Sequence, residues 1–143
     1  FQKEGFSNII LPIDQSDHTR QKVPFTAELA NRFGATVHVV GICTNSDEET
    51  VTHMRQYNQQ VLDFMEEQGV PTQHDMLFGQ NITEKTLEYA QHHDGDLIAI
   101  MTEQEVNPSN LIMGAFAQQM INHSPVPVLS LRPNPRYQGA VTY

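Results

Sequence analysis

Short apolar runs alternate with longer amphipathic stretches along this chain. The runs occupy residues 8–13, 36–42, 71–78, 97–101 and 126–131. The run at 71–78 is the most polar, which suits a strand near a sheet edge. The others lack the strict alternation of apolar and polar positions, so they predict strands that are buried on both faces. Five such strands separated by helices predict an α/β fold, a parallel sheet between two helix layers.

The stretches between the runs have the spacing of helices. The first helix is expected to begin near residues 16–19 and to end at Gly34. It has one apolar stripe through Val23, Ala27 and Ala30. A second stripe runs through Phe25, Leu29 and Phe33. Two stripes predict a helix covered on more than one side, and Pro24 predicts either a kink or a regular helix that begins there.

Capping patterns indicate where the next helices begin. Ser46 with Glu49, and Asn81 with Glu84, have the spacing of a capping box. Gly69 predicts the end of the second helix, and the third is expected to reach about residue 93. Apolar residues between positions 112 and 121 predict a last helix before the fifth strand.

Composition narrows the possible functions. The 143 residues predict a single domain over 1–143, with a core over about 8–132 and a tail, 133–143, without periodicity. A formal charge of −9 disfavours nucleic acid and anionic membrane surfaces as partners. No apolar run is long enough for a membrane span, and a single cysteine excludes an internal disulfide. We therefore expect a cytoplasmic protein, and because the chain starts at Phe1 we expect a piece of a longer one.

A series of short motifs resembles one protein family. The motifs are, in chain order, Pro12-Ile13-Asp14-Gln15-Ser16, Gly34-Ala35, Gly79 with Tyr89-Ala90, Asp96-Leu97-Ile98, and Ser124-Pro125-Val126-Pro127-Val128-Leu129. Their order and spacing, over about residues 8–132, resemble the universal stress protein family. The resemblance implies a three-layer, flavodoxin-like open sheet of the adenine nucleotide alpha hydrolase-like kind, with strand order 3-2-1-4-5, and a dimer.

The implied strand order also predicts where a ligand would bind. Ligands of open parallel sheets bind at the carboxyl ends of the strands, where the strand order reverses. Here that point lies between the first and fourth strands, which end at Asp14 and Met101. In nucleotide-binding members of the family the aspartate matching Asp14 helps to hold the nucleotide. A bound nucleotide would therefore be expected at Asp14, Val40, Met101 and Gly114.

The loop after Met101 departs from the phosphate-binding pattern of the family. That pattern is Gly-x2-Gly-x9-Gly-Ser/Thr, in which glycines let backbone N–H groups approach phosphate. This chain has Thr102 and Glu105 at the first two glycine positions, and the spacing to Gly114 is one residue short. Ala115 replaces the hydroxyl residue, and Glu105 adds negative charge, as does Glu103. We therefore expect no cofactor and a degenerate nucleotide site, with ATP binding as the alternative.

The fifth strand predicts an interface. Val128, Leu129 and Leu131 lie at a sheet edge in this topology, and an uncovered apolar edge is an aggregation hazard. The family resemblance implies that this strand pairs with the same strand of another domain. The other domain is a second copy in a homodimer or a sister domain of a tandem protein. A further protein partner remains open.

Other reactive residue types favour structural roles. His38 lies within a strand and is expected to be a core histidine rather than a ligand. His92 and His93 lie near a helix C-terminus, where histidine complements the helix dipole. Cys43 has no basic neighbour in the sequence to activate it. No catalytic triad, zinc spacing or P-loop is visible, so we expect no enzymatic activity and no metal. The predicted function is a stress-response domain that acts through dimerisation or partner binding.

Overall fold

A computed structural model describes residues 6–14, 17–101 and 119–131, without the side chains of residues 17–21 and 101. In chain order the elements are β1 (Asn8–Ile13), α1 (Asp17–Phe33), β2 (Thr36–Cys43), α2 (Glu48–Glu67), β3 (Thr72–Phe78), α3 (Ile82–His92), β4 (Leu97–Met101) and β5 (Val128–Leu131). Residues 119–123 are also helical. The predicted loop at 102–114, residues 112–118 of the predicted last helix, and the tail at 133–143 lie outside the described residues.

The strands described form one parallel sheet in the order β3-β2-β1-β4-β5. Within it, β1 lies between β2 and β4, with Ile10 paired to both His38 and Ile98. The outer strands are β3, which pairs with β2, and β5, which pairs with β4. The predicted fold class and strand order are therefore confirmed.

Apolar side chains form a core on each face of the sheet. On one face, residues such as Ile9, Leu11 and Val39 pack against α1 and α2. On the other face, Ile10, Val40 and Ile98 pack against α3 and the helical residues 119–123. Burial on both faces is the reason that the inner strands are almost continuously apolar.

Helix α1 is covered along one of its two apolar stripes and only partly along the other. The stripe through Val23 is buried, whereas in the second stripe Leu29 packs against the core and Phe25 and Phe33 are 44% and 41% exposed. The expectation of cover on more than one side therefore holds only in part. Pro24 lies inside the helix, which begins at Asp17. On another side of α1, Asn31 Nδ2 donates to the carbonyl of Gln68 at 3.0 Å, so that side faces the end of α2.

The two predicted helix starts lie within one residue of the observed N-caps, but neither helix begins with the predicted capping box. Asp47, rather than Ser46, is the N-cap of α2, and its carboxylate accepts from the Thr50 backbone N–H at 3.3 Å. Asn81 is the N-cap of α3 as predicted, but its side chain donates to Glu84 instead of capping the backbone. A carboxylate at a helix N-terminus is favoured by the helix dipole, which explains the choice of Asp47.

Candidate functional site

The carboxyl ends of β1 and β4 form the candidate site. These strands are neighbours, and the strand order reverses between them. Asp14 directly follows β1 and is half-buried, while Met101 is the last residue of β4. The structure thus brings two of the predicted residues to one edge of the sheet.

The other two predicted contacts are placed differently. Val40 pairs with Pro12 in the middle of the sheet and is completely buried in the core beneath α3. Its side chain therefore offers no surface to a ligand. Gly114 and the loop that precedes it lie outside the described residues. Among the described residues, the candidate site therefore consists of the ends of β1 and β4, at Asp14 and Met101.

A buried lysine is the feature of this site that the sequence analysis missed. Lys22 on α1 is only 4% exposed, and burial lowers its pKa to about 8, whereas the charge of Asp14 acts in the opposite direction. A helical wheel could have found it, because Lys22 lies beside the buried stripe of Val23 and Ala27 and one turn before Thr26. Thr26 is itself buried, and its hydroxyl donates to the Lys22 carbonyl at 2.7 Å.

The Asp14 and Lys22 charges give the site a mixed electrostatic character. A buried charge is costly unless an opposite charge lies near it. Asp14 favours the ammonium form of Lys22, and Lys22 reciprocally offsets part of the negative charge at the end of β1. Residues 102–114, which follow Met101, include no lysine or arginine. The structure shows that a cation is supplied by α1 instead.

Two open depressions lie elsewhere on the described surface. One, of about 530 Å³, is at the start of α2. Its lining includes Asp47, Glu48 and Glu49, so its charge disfavours anionic ligands. The other, of about 410 Å³, lies between β3 and α3. It is lined by Met76, Leu77, Phe78, Lys85, Glu88, Tyr89, His92 and His93.

His38 is a buried polar residue at the opposite end of the sheet from Asp14. It is 2% exposed, and its ring nitrogens lie 3.0 Å from Asn8 Oδ1 and 3.4 Å from the Tyr89 hydroxyl. The expectation of a hydrogen-bonded core histidine is confirmed. His93 follows the last residue of α3 and donates from Nδ1 to the Tyr89 carbonyl at 2.9 Å, as expected for a histidine at a helix C-terminus.

Cys43 is buried at the end of β2. Burial raises the pKa of its thiol, and the charge of Arg55 acts in the opposite direction. Arg55 lies on α2, so the fold supplies a basic residue to Cys43 although its neighbours in the sequence include none. A raised thiol pKa disfavours the nucleophilic thiolate.

Some kinds of site have no support in the part of the chain that is described. Among residues 6–14, 17–101 and 119–131, no group of at least three His, Cys, Asp or Glu side chains could hold a metal ion. Nor is any helix within these ranges both long enough and apolar enough to cross a membrane.

The two edge strands of the sheet differ in character. On β3 the exposed residues are Gln73, His74, Asp75 and Phe78, of which the first three are polar or charged. On β5 all residues are half-buried, and Leu129 packs against the core beneath α1. The predicted edge residues Val128, Leu129 and Leu131 therefore do lie on an edge strand within the described sheet.

Comparisons with known proteins agree with this architecture. The model of the universal stress protein family matches residues 5–132. No match was found among curated proteins. The chain is similar to universal stress protein UspA from Lactobacillus plantarum, at 19% identity and a TM-score of 0.78, over 90% of this chain and 99% of that one.

Nucleotide complexes are among the similar structures, including the following two. One is the universal stress protein from Archaeoglobus fulgidus in complex with dAMP, at 19% identity and a TM-score of 0.71, over 87% of this chain and 96% of that one. The other is a universal stress protein family protein from Arabidopsis thaliana with AMP bound, at 12% identity and a TM-score of 0.67, over 91% of this chain and 94% of that one. At such identities the structures establish a shared fold alone.

Proposed function

Since the chain belongs to the universal stress protein family, we propose that this stress-response domain acts by pairing with another domain and not by turning over ATP. The pairing surface is the outer edge of β5, with Val128, Leu129 and Leu131. The partner is a second copy of the chain or a sister domain of a tandem protein, and a further protein partner can bind the pair. The proposal treats residues 1–143 as one domain.

The observation that carries this proposal is the contrast between the two sheet edges. Charged and polar side chains protect an edge strand from unwanted pairing, and β3 carries them. The apolar residues of β5 are only half-buried, so pairing would remove more apolar surface from water. Edge-to-edge pairing of the same strand is isologous, which gives a closed dimer instead of an open polymer.

The second part of the proposal concerns ATP. Thr102 and Glu105 occupy positions where nucleotide-binding members of the family carry glycine. In such a loop a side chain would keep backbone N–H groups away from phosphate, and a carboxylate would repel it. The proposed domain therefore has a degenerate phosphate loop, no resident cofactor and no catalytic residue.

Sedimentation velocity at tens of micromolar tests the pairing. We expect the wild-type chain to sediment as a dimer and the Leu131→Lys variant as a monomer, because a charge on the edge cannot be buried without a partner. Leu131 is preferred because Leu129 and Val128 both pack against the core. Gln73→Lys, on the exposed edge strand β3, is the matched control and should remain dimeric.

A monomeric wild-type chain would leave the tandem form of the proposal. In that case a longer protein that contains a second such domain should lose its interdomain contact in the Leu131→Lys variant. If this contact persists, or if Gln73→Lys dissociates the dimer equally, the β5 edge is not the interface.

An adenine-nucleotide site is the second candidate function. It is supported by Asp14 and Met101 at the point where the strand order reverses, and by the buried cation of Lys22 beside Asp14. The contacts would come from Asp14, Val40 through its backbone, Met101 and Gly114, and any hydrolysis would be slow. Similar structures contain dAMP and AMP.

Calorimetric titration with Mg-ATP and with AMP separates the two candidates. The first proposal predicts no heat of binding at ligand concentrations up to about a millimolar, which corresponds to a binding free energy weaker than about −4 kcal/mol. Micromolar affinity for Mg-ATP that is lost in Asp14→Asn but kept in Glu84→Gln would establish the second. Glu84 is the control because it lies exposed in the first turn of α3.

A further inference from the structure

One imidazole ring joins three elements at the amino ends of the strands. His38 lies on β2 and contacts Asn8, the first residue of β1, and Tyr89, in the second half of α3. Asn8 in turn donates from Nδ2 to the carbonyl of Asp94, which follows α3, at 3.3 Å. The ring is therefore a link between the C-terminal end of α3 and the sheet.

The contacts of Asn8 define the protonation state that this link needs. Because Asn8 Nδ2 donates to Asp94, its Oδ1 is the atom that faces His38, and Oδ1 can only accept. His38 Nε2 must then carry the proton. In the neutral ring Nδ1 is an acceptor, which suits a hydroxyl hydrogen from Tyr89 at 3.4 Å. Both nitrogens of the neutral ring are thereby satisfied inside the protein.

A second proton on His38 would break this arrangement. It would sit on Nδ1 and point at the Tyr89 hydroxyl, which would have to turn its own hydrogen away. The charge would be created in a site that is 2% exposed. His93 lies near, with its ring centre 5.6 Å from that of His38, and it stacks on Tyr89 at 3.8 Å. A charge on His93 therefore opposes charging of His38.

The other ionisable groups around His38 come from α3, β3 and the turn before β4. From α3 the groups are Tyr89 and His93, while His92 is exposed. Burial raises the pKa of Tyr89, and the carboxylate of Asp75 on β3 acts in the same direction. From the turn before β4, Asp96 accepts from the backbone N–H groups of Ser7 and Asn8 at 2.7 and 2.9 Å. Asp94 takes part through its backbone carbonyl, which accepts from Asn8.

We propose that His38, Asn8, Tyr89 and His93 form an acid-responsive latch, which holds the end of α3 on the sheet while His38 is neutral and releases it when His38 is protonated. Burial and the charge of His93 both lower the pKa of His38, so the folded protein resists protonation until the pH falls below the ordinary range of histidine. The latch is independent of any nucleotide or dimer contact.

Release would act on the turn that leads into β4. Gly95 N–H donates to the Ala90 carbonyl at 2.7 Å, and Gly95 packs closely on Ile10 of β1. This turn is held by the same end of α3 that the latch fastens. Because the turn leads into β4, which lies between β1 and β5, loosening of the turn would also loosen β4.

Amide hydrogen exchange tests the latch. After correction for intrinsic exchange, the amides of Tyr89, His93 and Gly95 should lose up to about tenfold of their protection between about pH 7.5 and about pH 5.5, because the released His38 regains the ordinary histidine pKa of 6.5. The amides of Val39 and Val40 in β2 should keep theirs. In His38→Gln the amide side chain supplies one donor and one acceptor without titrating, so the protection should no longer depend on pH.

His92→Gln is the matched control, because His92 is exposed on the same helix turn. It should behave as the wild type does. A pH response shared equally by His38→Gln and the wild type would overturn the proposal, and so would a loss of protection spread evenly over the whole sheet.

A second variant keeps the test decisive if His38→Gln does not fold. Tyr89→Phe preserves the stack on His93 and removes the hydrogen that Nδ1 accepts. The loss of that bond makes protonation of Nδ1 easier, so the pKa of His38, measured by NMR of its ring protons, should rise relative to the wild type. An unchanged or lower pKa would show that Tyr89 does not hold His38 neutral.

Discussion

The two ends of this sheet bury ionisable groups in opposite ways. At the carboxyl ends, Lys22 is buried in a site where the nearby charge of Asp14 only partly offsets the cost of burial, so its pKa falls to about 8. At the amino ends, His38 is equally buried, but both of its nitrogens have hydrogen-bond partners in the neutral ring. One end keeps a costly charge, and the other keeps a satisfied neutral group.

We interpret this difference as a division between stability and function. A network in which each polar atom has a partner fixes one arrangement of the elements, as His38 does for β1, β2 and α3. A buried lysine beside a carboxylate lowers stability, and groups of this kind cluster at functional sites. The carboxyl end is also where ligands of open parallel sheets bind. The following substitutions test this division, from the largest expected effect to the smallest.

Lys22→Met should stabilise the protein. The ordinary lysine pKa is 10.5 and burial lowers it to about 8, so keeping the ammonium charged at neutral pH costs about 3 kcal/mol, and Met removes up to that amount. The unfolded chain binds the proton more tightly, so this cost shrinks as the pH rises from about 8 to 10.5. Urea unfolding at about pH 7 and about pH 10 should show a smaller gain at the higher pH.

The exposed Lys85 provides the control for that experiment. Lys85→Met should change the free energy of unfolding by less than about 0.5 kcal/mol at either pH. A Lys22→Met variant that is less stable than the wild type at neutral pH would show that the Asp14 charge outweighs burial.

Gly95→Ala should weaken the amino-end corner. A Cβ atom at Gly95 would lie 2.8 Å from Ile10 Cγ1 and 3.1 Å from the Ala90 carbonyl oxygen. Neither the β1 core nor the helix backbone can move freely, so we expect a loss of about 1–3 kcal/mol. Gly69→Ala, where φ is +73° and nothing lies within 4 Å, separates crowding from backbone strain. It should cost only about 1 kcal/mol in thermal or urea unfolding.

Asp94→Gly should have the smallest effect. Asp94 has a φ of 53°, in the left-handed region that glycine adopts without a steric penalty. Relief of that strain should raise the free energy of unfolding by up to about 1 kcal/mol. The Asp94 carbonyl that accepts from Asn8 is kept, so the pH dependence of amide exchange at Tyr89 should be unchanged. A shift in that pH dependence would mean that the Asp94 carboxylate takes part in the latch.

Much of the fold could be predicted because it depends on local patterns. Apolar runs such as the one at 97–101 report burial on both faces, and Gly69 reports a helix end, from neighbours along the chain alone. The errors arose where two local solutions compete. Asp47 displaced Ser46 as the cap of α2 because a carboxylate accepts hydrogen bonds more strongly, and Phe25 stayed exposed because nothing in the sequence says how many sides of a helix are covered.

The sequence by itself determined the order of the strands and helices, the polar character of β3, the apolar character of β5 and the family, because these depend on residue type and spacing. Only the tertiary structure decided that Lys22 is buried beside Asp14, that Val40 faces the core, and that His38 is bonded to both Asn8 and Tyr89. The residues that meet at these places lie on different elements of the fold. Their chemistry depends on distance and burial, which arise only when the helices pack on the sheet.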